Sequence, residues 1–500
     1  MNYFINFAPP SKIKGFNILP NNLILAALLI LPLLAGLLAF AIKGEKVKYL
    51  ALGFSIIVFI LTLTILFQFN KNDAEQFKIT YPWIHSLGIN FAVGVDGISL
   101  MMVLLTTFLT PLIIFTSFTD KIKSPSAFYG FLLLMEMALI GVFISLDGFL
   151  FYVFWELALI PIYFIVALWG GENRIRITFK FFIYTLFGSL LMLIGLIYLY
   201  SQTPDHSFSL SSMTGLTMTR GAEAWIFWAF FIAFAIKIPI FPFHTWQPDT
   251  YTNAPTSGTM MLSGIMLKMG LFGLLRWLLP VVPNAVEDYG YYALLLAVIG
   301  VIYASCIALV QSDLKRLFAY VSIAHVGLIA AGLLSQKHQG VAGGVLQMLT
   351  HGINAVGLFF LVDIIERRTK TRSISSLGGI ANVNPLFAIF FMIILLGSVA
   401  LPLTNGFPGE FLILTGLFQY GPVIAGFAGL TIILGAYYML KSYQRVMLGN
   451  TNTITENFAP LTGVETTALV IICAMVFLIG IYPNLFLDFI NPVVPNFLSR

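Results

Sequence analysis

Two lysines lie near the middle of apolar stretches that are long enough to cross a lipid bilayer. Lys237 lies in IAFAIKIPIFPF and Lys268 lies in SGIMLKMGLFG. A lysine at this depth costs about 3 kcal/mol on insertion scales, so it rarely occurs without a function. The alternative is that both side chains snorkel to the headgroups or pair with a carboxylate for stability. Because apolar residues flank each lysine on both sides, the pattern favours a pathway for ions or protons.

Prolines interrupt the apolar stretch around Lys237 and a second stretch around Glu410. Pro239 and Pro242 remove two backbone donors beside Lys237, which breaks the helix there. The second interruption, ALPLTNGFPGEFLILTG, contains Pro402, Gly406, Pro408 and Gly409. Broken helices beside an ionisable group at mid-membrane are typical of ion pathways. The second interrupted span comes five spans after the first, an odd number, so it is expected to be an inverted copy of the first.

Four further ionisable residues fall inside apolar stretches. Glu156 lies in FYVFWELALIPIYF and Glu136 in LLLMEMALIG, while His325 lies in SIAHVGLIAAG and His351 in MLTHGINAVG. A single histidine on an apolar face is more often a hydrogen-bonded core residue than a proton carrier. Two in adjacent spans are equally consistent with a relay, since histidine titrates near neutral pH. Glu136 is either a second intramembrane acid or a group at lipid depth with a local partner.

The composition identifies a membrane protein with many spans. Of 500 residues, 59% are hydrophobic and 9% are charged, and the mean hydropathy is +0.94, whereas soluble domains carry about 25% charged residues. Cys306 and Cys473 lie in apolar runs, which excludes a disulfide framework or a Cys-ligated cluster. No Gly-rich phosphate loop and no histidine spacing for haem is found. Any redox or nucleotide chemistry is therefore expected on partner chains.

Apolar runs of bilayer length predict an all-α fold of about fourteen transmembrane helices. We expect two inverted five-helix repeats, each with one broken helix. The predicted units are 1–127 (helices 1–3), 128–280 (first repeat, helices 4–8), 281–446 (second repeat, helices 9–13) and 447–500 (helix 14). The predicted spans are 23–42, 47–69, 93–118, 128–146, 149–169, 179–200, 225–243, 256–279, 290–310, 316–334, 341–365, 385–418, 422–445 and 465–487.

The distribution of basic residues predicts the orientation in the membrane. About two thirds of the 26 lysines and arginines lie in the odd-numbered loops, such as ERRTKTR between Glu366 and Arg372. These loops should be cytoplasmic, so both termini, including Lys12 and Lys14, should face the periplasm. The run from Leu23 to Ile42 is too long for a signal-peptide core and is read as the first span. The expected location is the bacterial cytoplasmic membrane, with an organellar inner membrane as the less favoured alternative.

Five motifs resemble the antiporter-like proton-pumping subunits of respiratory complex I. They are FYVFWELALIPIYFIVALWGG, KFFIYT, AFAIKIPIFPFHTWQPDTYTNAPTSG, SDLKRLFAYVSIAHVG and GEFLIL, and they occur in the family's order. The resemblance runs from about Asp96 to Tyr443. It implies a proton relay along the membrane midplane, made of Glu156, Lys237, Lys268, His325, His351 and Glu410.

The resemblance also implies roles within this relay. Glu156 and Lys237 would form an ion pair whose separation acts as a switch, after which a proton moves from Lys237 to Lys268. The histidines would then pass it to Glu410, from which it leaves on the side opposite the basic loops. Lysine suits such a role because burial changes its charge state readily, whereas arginine stays charged. Glu136 receives no role from the resemblance.

The family places the redox chemistry elsewhere in the complex. NADH, FMN, Fe–S clusters and quinone are expected on partner subunits, with no cofactor and no metal on this chain. The expected partners are the other membrane-arm subunits, including the L-type and N-type antiporter-like chains, and the lipid bilayer, with no nucleic acid. The alternatives are a D-type subunit of a multisubunit Na⁺/H⁺ antiporter, the membrane subunit of an energy-converting hydrogenase, and a stand-alone secondary transporter. A scaffold is least favoured, because it needs no mid-membrane lysines.

Overall fold

The computed structural model describes residues 21–71 and 75–498, so Lys12 and Lys14 lie outside the described residues. The helices are α1 (Asn21–Ala41), α2 (Val47–Gln68), α3 (Gly97–Thr116), α4 (Pro125–Ile144), α5 (Gly148–Leu157), α6 (Leu159–Trp169), α7 (Arg174–Gln202), α8 (Leu210–Thr214), α9 (Arg220–Lys237), α10 (Gln247–Asn253), α11 (Thr256–Met261), α12 (Leu267–Gly273), α13 (Pro283–Leu309), α14 (Leu314–Leu334), α15 (His338–Thr369), α16 (Ile380–Val383), α17 (Pro385–Ser398), α18 (Gly406–Tyr420), α19 (Pro422–Met447), α20 (Gly463–Ile481) and α21 (Asn484–Ile490). The strands are β1 (Gln76–Ile84) and β2 (Ile89–Val95).

Twelve helical stretches in the described part of the chain are long and apolar enough to cross a membrane. They confirm a mostly helical protein with many spans. The two other predicted spans, 225–243 and 385–418, are the interrupted ones: the first corresponds to α9 and the turn after it, the second to α17 and α18. The count of fourteen, the inverted repeats and the division into four units stay predictions.

A two-stranded antiparallel hairpin joins α2 to α3 and was not predicted from the apolar runs. Tyr81 pairs with Phe91 and Pro82 with Asn90. The strands contain β-branched and aromatic residues, which favour a pleated surface. The backbone N–H of Leu146 donates to the carbonyl of Ala92 at 2.9 Å, which ties the hairpin to the end of α4. The hairpin thus packs against the turn between α4 and α5.

The stretch from α11 to α12 and the helices α14 and α15 form the buried centre of the molecule. The stretch is not a regular helix: two π-helical turns, Leu262–Met266 and Leu274–Leu278, lie before and after α12. π-helical turns are rare and frequently occur at functional sites. Around this centre α1, α2, α7 and α19 expose many large apolar side chains, as expected for lipid-facing helices.

Glycines allow α15 and α18 to pack closely. A Cβ added at Gly416 would lie 2.3 Å from the backbone nitrogen of Gly340, and one at Gly343 would lie 2.7 Å from the nitrogen of Ile413. Only a residue without a side chain permits backbones to approach this far. The close approach brings the side chains of α15 against the first turns of α18.

Both predicted helix breaks are present. The chain leaves α9 at Lys237 and resumes in α10, and the indole N–H of Trp246 donates to the carbonyl of Ile236 at 2.9 Å, which satisfies a backbone acceptor near the broken end. The second break runs from 399 to 405, where Ala400 has φ 58°. Pro408 and Gly409, expected in this break, instead lie in the first turn of α18, where proline removes only a donor that has no helical partner.

Candidate functional site

Lys237 is the last residue of α9 and is 2% exposed. Its Nζ lies 5.2 Å from the centre of the Trp155 ring, so the ammonium is placed for a cation–π interaction. Within residues 21–71 and 75–498, Nζ has no hydrogen-bond partner. The break after α9 therefore presents this amine at the edge of the buried centre without fixing it in a hydrogen bond.

Glu156 directly follows Trp155, the residue whose ring Lys237 contacts, in α5. Its Oε1 is buried without a hydrogen-bond partner among the described residues, and Ser189 of α7 is the polar group beside it. The salt bridges of the described residues do not include a Glu156–Lys237 pair, although the two interact electrostatically. The structure thus brings the two residues into one region with the pair separated.

Lys268 is fully buried in α12, directly after the first π-helical turn. Its Nζ donates to the carbonyl of Ser263 at 2.6 Å, five residues earlier, and lies 2.8 Å from Nδ1 of His351. The accepting carbonyl lies within the π-helical turn, whose backbone hydrogen bonds differ from the regular α-helical pattern. The turn thus anchors the lysine and directs its amine at α15.

His351 joins three helices of the buried centre. Besides its contact with Lys268, its Nε2 lies 3.2 Å from Oγ of Ser322 in α14. The rings of His351 and His325 are 5.9 Å apart in an edge-to-face arrangement. A cavity of about 10 Å³, close to the smallest that holds one water, lies between them, and is lined in part by Ser322, His325, His351, Asn354 and Ser398.

Glu410 lies in the second turn of α18 and is 3% exposed. The Nε2 of Gln347 in α15 donates to its Oε1 at 3.3 Å. The hydroxyl of Thr350 in turn donates to Oε1 of Gln347 at 2.7 Å. The acid of the second broken helix is thus connected to α15, the helix that carries His351.

The remaining intramembrane acid, Glu136, has no hydrogen bond to these groups among the described residues. Glu136 is fully buried in α4, and neither carboxyl oxygen has a hydrogen-bond partner in the part of the chain that the structure describes. It therefore forms no hydrogen bond with Lys237 or Lys268, and it stays without an assigned role. Groups of three or more His, Cys, Asp or Glu that could hold a metal are not found among the described residues.

Several polar residues of the site were missed in the sequence. Trp155, Ser322 and Gln347 were not singled out, although α15 has a polar face that the sequence shows. That face repeats every three or four residues, at Gln347, Thr350, His351 and Asn354. Lys315, counted as a loop residue, is a third buried lysine: its Nζ donates to the carbonyl of Ala254 at 2.7 Å, at the end of α10.

Asp96 and Arg276 form a buried salt bridge that the sequence did not predict. Their Oδ2 and Nη2 atoms are 2.5 Å apart, and the pair joins the start of α3 to the second π-helical turn. Asp96 also caps α3 by accepting from the backbone N–H of Ser99. The pair therefore fixes the end of the stretch that carries Lys268.

Comparison with known proteins gives consistent matches. Residues 145–435 match the family model described as NADH:quinone oxidoreductase/Mrp antiporter, transmembrane. The chain is 44% identical over 463 residues to NADH-quinone oxidoreductase subunit M of Rickettsia prowazekii, covering 92% of this chain and 94% of the relative. It is 37% identical over 483 residues to NADH-ubiquinone oxidoreductase chain 4 of Marchantia polymorpha, covering 95% and 97%.

Solved structures show the same fold. A chain of respiratory complex I from Thermus thermophilus superimposes with a TM-score of 0.88 at 29% identity, over 95% of this chain and 98% of that one. A chain of the Mrp complex from Dietzia superimposes with a TM-score of 0.83 at 18% identity, over 96% of this chain and 52% of that one, a likeness of fold alone. The chain belongs to the family of NADH:quinone oxidoreductase and Mrp antiporter membrane subunits.

Proposed function

We propose that the chain moves protons across the membrane as a membrane-arm subunit of NADH:quinone oxidoreductase, by a relay of Glu156, Lys237, Lys268, His325, His351 and Glu410. The family model covers both oxidoreductase and Mrp antiporter subunits, but the full-length relatives that match more than nine tenths of the chain are subunits M or chain 4 of that enzyme. This favours the oxidoreductase subunit over the antiporter and over a stand-alone transporter. The other subunits of the membrane arm are its partners.

The contact between Lys268 and His351 carries the relay proposal. An amine and an imidazole, both able to hold a proton, lie 2.8 Å apart in an apolar interior. This is the separation of a direct hydrogen bond, through which a proton can pass between two bases. If Nδ1 accepts from Lys268, the ring's proton is on Nε2, which then donates to Ser322.

The first half of the relay runs from the switch to Lys268. The Cβ of Lys237 would lie 3.1 Å from a Cβ added at Gly270, two residues after Lys268, so α12 packs directly against the end of α9. When Glu156 approaches, its charge favours the protonated form of Lys237; when it withdraws, that attraction is lost. Withdrawal of Glu156 is therefore the step that releases the proton toward Lys268.

Energy for this cycle comes from partner subunits. Quinone reduction by NADH, with FMN and Fe–S clusters, takes place on other chains, and this chain contributes no cofactor. The basic loops face the cytoplasm and the hairpin faces the periplasm, together with both termini, in a bacterial inner membrane. A proton therefore enters from the side of the basic loops and leaves beyond Glu410.

Replacement of Lys268 by methionine in the assembled, reconstituted complex tests the relay. We expect NADH-driven acidification of the vesicles to be lost while assembly is retained, because methionine has similar length and cannot hold a proton. Lys441→Met is the matched control, since Lys441 lies on the exposed face of α19, where its Nζ contacts Tyr437. Normal acidification by Lys268→Met would contradict the relay. Sodium-gradient-driven exchange without NADH would favour the antiporter.

A further inference from the structure

The path between His351 and Glu410 contains a side chain that cannot relay a proton in the ordinary way. Both ring nitrogens of His351 are engaged, one with Lys268 and one with Ser322. Among the described residues, the carboxyl of Glu410 accepts one side-chain hydrogen bond, from Gln347. A carboxamide has donors and an acceptor but no site that binds a proton near neutral pH. A proton therefore does not cross from α15 to Glu410 through this contact.

The side-chain amide of Gln347 is held in one orientation by neighbouring groups. Thr350, one turn after Gln347 on the same face of α15, donates to the amide oxygen at 2.7 Å, which leaves Nε2 directed at Glu410. Gln347 and Thr350 are 2% and 0% exposed, so water does not compete freely for these bonds. The orientation of Glu410 is thus set by two hydrogen bonds in series.

The absence of a side chain at Gly409 leaves room for the amide of Gln347. A Cβ added at Gly409 would lie 2.4 Å from Oε1 of Gln347 and 3.1 Å from its Cβ. The residue before Glu410 therefore leaves space that the glutamine side chain fills. Any larger residue at position 409 would displace the amide from its contact with the acid.

We propose that Gln347 is a positioning residue that holds Glu410 against α15, with Thr350 fixing its amide, and that proton exchange with the histidine pair requires release of this contact. Gln347 thus acts as a latch: it keeps the terminal acid out of contact with His351 until Glu410 turns away or water enters. The inference rests on the proposed role of Glu410 in the relay. Loss of the latch uncouples transport rather than blocking it.

Difference infrared spectra of the reconstituted complex, recorded between acidic and alkaline pH, give a direct readout. The carboxyl band of Glu410 is assigned by its absence in Glu410→Gln. In Gln347→Leu the carboxyl loses a donor, so we expect its C=O band to move to higher frequency. We also expect protons pumped per NADH to fall at least twofold with NADH oxidation retained. Gln339→Leu, in the first turn of the same helix and about two turns before Gln347, should change neither quantity.

Two milder variants keep the test decisive if Gln347→Leu does not assemble. Thr350→Val loses only a hydroxyl and should move the band in the same direction by a smaller amount, whereas Thr350→Ser should restore the wild-type spectrum. An assembled Gln347→Leu or Thr350→Val variant with an unchanged band and an unchanged pumping ratio would overturn the inference.

The Glu410→Gln variant separates this inference from the proposed function. If Glu410→Gln pumps normally, Glu410 is not in the relay and both statements fail. If Glu410→Gln abolishes pumping while Gln347→Leu leaves the band and the ratio unchanged, the relay stands and only the latch is wrong.

Discussion

The Nζ of Lys268 and the Nδ1 of His351 lie 2.8 Å apart, across two helices that the sequence separates by 83 positions. The π-helical turn before α12 provides the carbonyl of Ser263 as a second partner for the lysine. The amine is therefore held between a backbone acceptor and an imidazole. Its position depends on local backbone geometry as much as on helix packing.

Removal of His351 and removal of its second hydrogen-bond partner, Ser322, should have graded effects. His351→Ala removes a proton-carrying group, so we expect NADH-driven pumping to fall by roughly 100-fold or more. Ser322→Ala removes only the hydrogen bond to Nε2, about 1 kcal/mol, so a decrease of roughly 2- to 10-fold is expected. Vesicle acidification measures both. Ser442→Ala is the control, because the hydroxyl of this buried serine donates to the carbonyl of Met439 within its own helix, α19. Equal losses in Ser322→Ala and Ser442→Ala would refute the specific role of Ser322.

Loss of one member of the buried Asp96–Arg276 pair should destabilise the protein more than loss of both members. Asp96→Asn can still cap α3 but leaves the Arg276 guanidinium without its counter-charge, which should destabilise the protein by about 3–5 kcal/mol. The double variant Asp96→Asn/Arg276→Met removes the orphaned charge and should recover most of that loss. Thermal unfolding in detergent measures the difference. A double variant no more stable than Asp96→Asn would show that the unpaired Arg276 charge is not the cause of the destabilisation.

Asp120, in the loop after α3, should make stability depend on pH. Burial raises its pKa to about 7, with repulsion from Asp363 adding to the effect and attraction by Arg367, at 3.6 Å, opposing it. In the unfolded chain an aspartate loses its proton near pH ~4. Between these values the native state binds more protons, so stability falls as the pH rises from about 4 to about 7.

Asp120→Asn should remove this part of the pH dependence. Unfolding midpoints of the two proteins should differ most above pH ~7, where the wild type carries the full cost of the buried charge. Asp205→Asn, which changes an aspartate exposed in the loop after α7, should follow the wild-type curve. Parallel wild-type and Asp120→Asn curves across this range would contradict the assignment.

The packing of α15 against α18 should tolerate no side chain at position 416. A Cβ there would lie 2.3 Å from the backbone nitrogen of Gly340, so Gly416→Ala must push the helices apart, at about 1–3 kcal/mol. Gly426→Ala in α19 meets nothing within 4 Å and should be neutral or stabilise by about 0.5 kcal/mol, since alanine favours a helix. Unfolding measurements on both variants check the difference. Similar free energies of unfolding for the two variants would show that the close approach of α15 and α18 does not exclude a side chain at position 416.

The sequence predicted those features that are expensive in a membrane. Lysines and acids at mid-span and prolines in apolar runs have a clear cost, so Lys237, Lys268 and both breaks could be located from residue type alone. The residues that these groups contact could not be identified in this way. The contact between Lys268 and His351 depends on a π-helical turn, and the contact between Gln347 and Glu410 depends on close packing at glycines. Neither the turn nor the packing produces a repeating pattern in the sequence. The hairpin was missed because it lies between spans and contributes no long apolar run.

Trp155 lies directly against Lys237, with the amine 5.2 Å from the ring centre. A charge at this distance changes the electronic transition of an indole, so the emission of Trp155 depends on whether Lys237 is protonated and where it lies. The protein thus contains an optical reporter at its proposed switch. The difference in emission between the wild-type complex and a Trp155→Phe complex would follow the switch during turnover, without an added label.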